Sequence, residues 1–250
     1  YEEPRFRPNP MTRQRSVAGL HGRKTGRGFY TYEDNKKVLP LAEKIPETLP
    51  ECIWISKAEP EGYRILLNAL SEVVEIDDAP KPSTRSLCLF TPIGADVTSS
   101  AVSEGVEAER SFGVDTMFGL DGRRTLMGTP VSDPDLRYMV HAALAATGHT
   151  VTVINDSPGF VNQRVVATVV NIACDIAQQR IANPADIDKA VTLGLGYPIG
   201  PLSMGDDIGA RQIMKVLNGM LEFYGDPRYR ASPWLKRRAL LGVSLLTEES

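Results

Sequence analysis

The chain has 250 residues, 42% hydrophobic and 24% charged, which suits a globular protein of one large domain or two smaller ones. Its 28 Lys and Arg against 31 Asp and Glu leave a net charge of −3, which argues against nucleic acid as the main partner. Cys52, Cys88 and Cys174 are too scattered for a disulfide framework or a zinc site, and His21, His141 and His149 form no HExxH pattern. No apolar run approaches the roughly 20 residues of a membrane span, and no signal segment opens the chain. The expectation is a cytosolic (cytoplasmic) protein with no membrane partner and no structural metal.

The first segment is repeated. Residues 1–20, YEEPRFRPNPMTRQRSVAGL, align without a gap with residues 224–243, YGDPRYRASPWLKRRALLGV. Tyr1, Pro4, Arg5, Arg7, Pro10, Arg15 and Gly19 meet Tyr224, Pro227, Arg228, Arg230, Pro233, Arg238 and Gly242, and Phe6 faces Tyr229. Such repetition has to be read before anything else, because it sets the architecture. A segment that closes a domain here also opens the chain, which begins without Met, so the chain is expected to start inside a longer protein.

Residues 10–20 predict a short helix, and His21–Tyr30, HGRKTGRGFY, a glycine-punctuated exit from it. The string lacks the preceding strand and the Gly-Lys-Ser/Thr ending of a phosphate loop. Arg5, Arg7, Arg13, Arg15, Arg23, Lys24 and Arg27 make this region basic, either as a solvated helix face or as an anion site for groups such as nucleotide phosphates. The charged stretch 33–50, with Pro40, Pro46 and Pro50, reads as a linker.

From 51 to 155 strand-like and helix-like segments interleave. Cys52–Ser56, Val73–Ile76, Ser86–Phe90, Ser111–Val114 and Val151–Ile154 are short and rich in β-formers, whereas Tyr63–Leu70 and Leu136–Ala146 carry helical spacing. Such alternation predicts a small α/β domain with a parallel sheet. After Asp156 the pattern is all-helical. Ser157-Pro158 and Asn183-Pro184 read as N-caps followed by proline at the first helical position. Val165, Val169, Ile172 and Ile176 form one apolar stripe, and Val166, Val170, Ala173 and Ala177 a second, so this helix is expected to be buried on more than one side. A second helix should stop at Gly194, and a third region should bury Val216, Leu217, Met220 and Phe223.

Asn162, Gln163 and Arg164 form a polar cluster near a helix start, where anions and carbonyl oxygens are favoured and where a solvated helix end would look the same. They are the candidate substrate-facing residues.

The strings NDSPGFVNQR and NPADIDKAVTLGLGYPIGPLSMGDDIG, over 155–209, resemble the C-terminal helical domain of the 3-hydroxyacyl-CoA dehydrogenases, with its D-x-PGF-x-x-NR, P-x-DID-x-A, GLG-x-P-x-GP and D-x-x-G patterns. GRKTGRGFYTY at 22–32 resembles the terminal motif of the same domain. The layout is similar to bacterial members with two helical domains, of the phenylacetate-pathway 3-hydroxyadipyl/3-hydroxybutyryl-CoA type. The resemblance implies a nicotinamide domain, a helical domain, a reduced Rossmann-like domain and a second helical domain in series. This chain would then hold the tail of the first helical domain (1–34), a linker (35–50), the Rossmann-like domain (51–155) and the second helical domain (156–250).

The departures from that family shape the functional expectation. After the first strand of the Rossmann-like domain the chain reads Lys57-Ala58-Glu59-Pro60-Glu61-Gly62, with carboxylates where a dinucleotide's phosphates would sit. The family's catalytic His, in an H-F-F-N-P stretch, falls on Asp115, with no Glu following in Arg124–Gly128 to orient a base, and its active-site Asn falls on Gln163. An unperturbed Asp is a poorer base near neutrality than His. Taken without the resemblance, Asp115 and Gln163 read as surface polarity.

The resemblance therefore implies a parent enzyme that is an NAD-dependent (S)-3-hydroxyacyl-CoA dehydrogenase, with NAD and the catalytic residues supplied outside this chain. These 250 residues would hold no catalytic, cofactor or metal residues and be inactive alone. They would serve a pseudo-dimer, shape the acyl-CoA cleft, and form a homodimer through 157–246. The alternative is a stand-alone CoA-thioester binding or oligomerisation module.

Overall fold

The computed structural model describes residues 8–39 and 47–249, and contacts divide the chain into two units, Tyr1–Lys44 and Ile45–Ser250. In the first unit, α1 (Pro10–Val17) is capped by the Asn9 carboxamide, which accepts from Met11 N at 2.9 Å. The helix is shorter than the predicted span because the chain turns at Gly19 (φ +70°). A 3-10 turn at Arg23–Thr25 follows, then a hairpin of β1 (Tyr32–Glu33) and β2 (Lys36–Lys37). Asp34 and Asn35 turn it at positive φ, the backbone that two-residue hairpins require. Arg13, Arg23, Lys24 and Arg27 are exposed, and α1 buries none of its residues.

The second unit begins with a six-stranded sheet. Its elements are β3 (Cys52–Ile55), α2 (Pro60–Leu70), β4 (Glu75–Asp77), β5 (Ser86–Phe90), α3 (Val97–Glu104), β6 (Ser111–Val114), β7 (Arg124–Gly128), α4 (Pro134–Ala145) and β8 (Val151–Asn155), in the spatial order β4-β3-β5-β6-β7-β8. Every pairing is parallel except β6–β7, where Val114 meets Leu126 in antiparallel register. The sheet is thus parallel-dominated rather than purely parallel. Its central strands β3, β5 and β6 are buried on both faces, which is why they read as continuous apolar runs. Ile53, Leu89, Phe112 and Val114 pack against α2 and α4. Trp54, Cys88, Phe90 and Met127 meet α3 and Phe160 on the other face.

The sequence pattern anticipated neither α3 nor β7, and it placed β4 two residues early. Val73 and Val74 instead donate to the Leu70 carbonyl and round off α2. The Ser/Thr-rich α3 has weak intrinsic propensity and is held by two carboxylates at its start. Asp96 Oδ1 accepts from Ser99 N at 2.7 Å, and Asp156, 59 residues from Val97, accepts from Val97 N at 2.9 Å and Thr98 N at 3.1 Å.

The helical region comprises α5 (Asn162–Gln178), α6 (Pro184–Leu195), α7 (Pro201–Ile208), α8 (Ala210–Tyr224) and α9 (Pro233–Leu241). The α5 stripe of Val166, Val170, Ala173 and Ala177 joins Leu202, Ile213, Leu217, Trp234 and Leu235 in the core. The neighbouring stripe contributes less: Val165 is exposed, Val169 and Ile172 are half-buried, and Ile176 packs against the core. Phe223 is likewise exposed. Asn183 caps α6 as expected, accepting from Asp186 N at 2.8 Å, but the helix runs one residue past Gly194 before Gly196 ends it. Ser157 is not a helix cap. The chain turns at Phe160 (φ +46°), α5 begins at Asn162, and the Ser157 hydroxyl accepts from Arg164 instead.

Both copies of the repeated segment build the same local structure, as far as it is described. Residues 1–7 lie outside the described residues. Asn9-Pro10 opens α1 and Ser232-Pro233 opens α9, each with a side-chain cap, and Gly19 and Gly242 follow at φ +70° and +68°. Arg15 stacks 4.1 Å from the Phe29 ring centroid and donates to the Gly28 carbonyl; Arg238 stacks 3.2 Å from the Trp234 centroid and donates to the Thr247 carbonyl at 2.9 Å. Burial separates the copies, since α9 buries Trp234, Leu235, Arg238 and Ala239 where α1 buries nothing.

Candidate functional site

In an α/β sheet, ligands bind beyond the carboxyl ends of the parallel strands. Here that region, past β3, β5 and β6, holds a cavity of about 210 Å³ lined by Thr91, Ile93, Thr116 and Met117 on the sheet side, Gly62 and Ile65 on α2, and Ile208 and Gln212 on the helical side. Glu59 and Glu61 stand at the same mouth. Glu61 is paired with Arg64 at 2.6 Å, and Glu59 with Lys215 of α8. Pro60 at the first helical position has no N–H to offer a phosphate. A pyrophosphate would meet two carboxylates and too few amides, so these residues do not fit NAD.

Beside this cavity, α5 and the sheet meet through one side chain. The Gln163 amide donates to Asp115 Oδ1 at 2.9 Å and to the Pro92 carbonyl at 3.1 Å, while its oxygen accepts from Gly94 N at 2.9 Å. The two positions that the sequence matched separately to the family's His and Asn, 48 residues apart, are therefore in direct contact. Neither is surface polarity: Gln163 is 0% and Asp115 7% exposed. Gln163 faces protein, because all three polar bonds of its amide end on the sheet side of the junction. Asn162 is exposed. Arg164 is half-buried and turned back on the chain, donating to Ser157 Oγ at 2.6 Å, the Pro158 carbonyl at 2.9 Å and the Tyr224 hydroxyl at 2.9 Å. The three neighbours in sequence thus point to three different environments.

Burial pushes the Asp115 carboxyl above the usual carboxylate range, with the bonds from the Gln163 amide and Met117 N opposing it. The unperturbed-carboxylate argument against Asp115 as a base therefore does not apply. Access excludes it instead: Oδ1 accepts from Gln163 and Met117 N, and Oδ2 is buried with no hydrogen-bond partner among the described residues. The backbone closes the junction further. Gly94, at φ +75°, lies so close to α8 that a Cβ there would come within 2.7 Å of Val216 Cα, and one on Gly219 within 2.6 Å of the Gly94 carbonyl.

Two carboxylates of the 155–209 strings are scaffolding. Asp188 accepts from Leu202 N at 2.8 Å, Ser203 N at 2.9 Å and Ser203 Oγ at 2.6 Å, capping α7. Asp206 accepts from Leu245 N at 2.8 Å and secures the chain after α9. Sequence reasoning missed Asn171, buried in α5, which accepts from Ser232 N at 2.7 Å and donates to the Arg230 carbonyl at 2.9 Å. It missed Thr91, Thr116 and Lys215 as well, because no local signal marks residues that meet only through the fold.

Among the described residues no group of His, Cys, Asp or Glu is placed to hold a metal ion, and no helix is long and apolar enough to cross a membrane. The three cysteines are buried and unpaired; burial pushes the Cys88 thiol up to about 12 and raises Cys174 as well.

Residues 159–244 match the family described as 3-hydroxyacyl-CoA dehydrogenase, C-terminal domain. Over 96% of its length the chain is 27% identical to the 3-hydroxyadipyl-CoA dehydrogenase of Escherichia coli K12, of which it covers 46%. A stretch of 84 residues, 34% of the chain, is 36% identical to the 3-hydroxybutyryl-CoA dehydrogenase of Clostridioides difficile and covers 30% of it. The crystal structure of 3-hydroxybutyryl-CoA dehydrogenase from Escherichia coli K12 superimposes with a TM-score of 0.70 at 28% identity, over 96% of this chain and 46% of that one. The chain thus spans less than half the length of the curated relatives it matches. Residues 159–244 are thus similar to the C-terminal domain of the 3-hydroxyacyl-CoA dehydrogenases, and the chain as a whole is similar to part of a bacterial member.

Proposed function

We propose that this chain is the non-catalytic part of an NAD-dependent (S)-3-hydroxyacyl-CoA dehydrogenase, an enzyme oxidising a 3-hydroxyacyl-CoA to the 3-ketoacyl-CoA. On this reading residues 51–155 are a Rossmann-like domain without a dinucleotide site, and residues 156–250 are an assembly domain. NAD and the reacting groups belong to a partner domain of the parent protein. The observation that carries the reading is the closed junction, in which Gln163 and Asp115 are buried against each other and every polar atom of the Gln163 amide is engaged by protein groups. The carboxylates at the start of α2 support it.

Assembly is the role left to the helical region. Ile181, Leu193, Leu195, Leu240 and Leu241 are all exposed, and large apolar side chains left uncovered favour burial against a partner. The occupant we assign is a second copy of the same helical domain, as a sister domain in the parent protein or as a homodimer of this chain.

Calorimetry of the purified chain with NAD and with acetoacetyl-CoA, run separately, tests the reading, together with an assay for NADH formation from 3-hydroxybutyryl-CoA. The expected result is no NAD binding and no turnover. Turnover by the chain alone would overturn it. Binding of acetoacetyl-CoA without NAD would assign the chain a share in the acyl-CoA cleft.

A further inference from the structure

The cavity side of the junction is polar, buried and under-satisfied, and this has a consequence for how sheet and bundle stay together. One carboxamide, Gln163, joins three segments: the Pro92–Gly94 turn after β5, the end of β6 at Asp115, and the first turn of α5. The turn has no freedom to slide, because Gly94 is pressed against Val216 and Gly219 of α8. Among the described residues an ion pair, Lys215–Glu59, spans the same gap at its open edge.

The geometry points to the Asp115–Gln163 pair as a proton-dependent lock that holds the sheet and the helical bundle closed on each other. In the closed state the carboxyl has one oxygen on the Gln163 amide and Met117 N, and the other buried without a partner among the described residues. A neutral carboxyl tolerates that environment. A carboxylate does not, since a buried charge whose second oxygen lacks a donor is costly. Opening the junction would let water reach that oxygen, so opening releases a proton.

Among the described residues no neighbouring charge substitutes for water. On α2 and α8, Glu61 pairs with Arg64 and Glu59 with Lys215. On α5, Arg164 is held by Ser157, Pro158 and Tyr224. On the β5–α3 connection Asp96 caps α3, and Asp156 past β8 does the same. On β7, Arg124 donates to the Leu120 carbonyl at 3.0 Å and the Leu144 carbonyl at 2.6 Å. The direction in which burial moves the Asp115 carboxyl agrees with a closed state that keeps its proton.

The test is hydrogen exchange of the Gly94 and Met117 amides, corrected for the intrinsic pH dependence of exchange, between pH 4 and 8. A solvated carboxyl ionises near pH 4. From there until the closed carboxyl itself ionises, the opening equilibrium should rise by about tenfold per pH unit, the signature of one linked proton. Amides inside β5, such as Leu89, report global unfolding and separate it from opening of the junction. Asp115→Asn keeps the acceptor for Gln163 and removes the proton, so its opening should not vary with pH. A wild-type Gly94 amide whose opening is flat across the whole range would overturn the lock, and so would a slope unchanged in D115N. The wild-type slope decides the matter even where the variant fails to fold.

Discussion

At the scale of single residues, environment outweighs residue type. Asp115 and Gln163 are polar side chains of a kind usually exposed, yet both are buried and each is the other's partner. Asp77 shows the opposite environment. It accepts from Ser83 N at 2.8 Å and from Ser86 Oγ at 2.6 Å on an open edge strand, and these donors, led by the Ser83 amide, hold its carboxyl down at about 2. The two carboxyls therefore act with opposite sign on stability. The raised Asp115 contributes its full stability below about pH 4, where the unfolded carboxyl is also protonated, and loses it as pH rises towards its native titration point. D115N should accordingly melt above wild type at pH 7, with the gap closing as the pH is lowered to about 3.5; melting scans across that range measure it. Gln163→Ala strips Asp115, Gly94 N and the Pro92 carbonyl of a partner at once. Unsatisfied buried groups of this kind cost about 1–3 kcal/mol each and are partly relieved by water, so a loss of about 2–4 kcal/mol in denaturant unfolding is expected.

Among the secondary-structure elements, those that announced themselves carry their own start signals. α6 has Asn183, Pro184 and Asp186 in sequence and forms where expected. Asn183→Ala should therefore cost about 1 kcal/mol, the usual worth of a helix cap, read as a shift in urea midpoint with an unchanged slope. The elements that were missed are those stabilised from elsewhere. α3 has a Ser/Thr-rich core of turns and takes one of its two caps from Asp156, far along the chain. β7 sits between β6 and β8, and Leu126 and Met127 are buried on opposite faces by neighbours that a local pattern does not contain. Ser157 failed as a cap for the same reason in reverse: a local signal was overridden when the turn at Phe160 placed that ring in the sheet's second face.

On the scale of the whole molecule, the exposed leucines of α6 and α9 predict association. Multi-angle light scattering at tens of micromolar, about what a modest interface needs to saturate, should give a dimer mass. Leu193→Glu with Leu241→Glu, both on exposed positions, should return a monomer with an unchanged melting temperature. A wild-type monomer at that concentration would remove the assembly role proposed for the helical region.

The repeated segment, the helical strings and the strand–helix alternation were legible because each is written in neighbouring residues: a cap before a proline, a glycine after a helix, apolar runs of strand length. Those features were enough to give the resemblance to the family, a parallel sheet and the bundle. The candidate site was legible only as positions. That Asp115 lies against Gln163 and that Gly94 must pass beside Gly219 are consequences of segments 48 or more residues apart meeting in space. Hydrogen bonding and burial depend on those meetings and not on the order of residues. The amino-acid sequence by itself determined the likeness to the 3-hydroxyacyl-CoA dehydrogenase helical domain, whereas only the tertiary structure decided that the junction is shut, because a single buried amide bonds the turn after β5 and a carboxyl at the end of β6 at the same point.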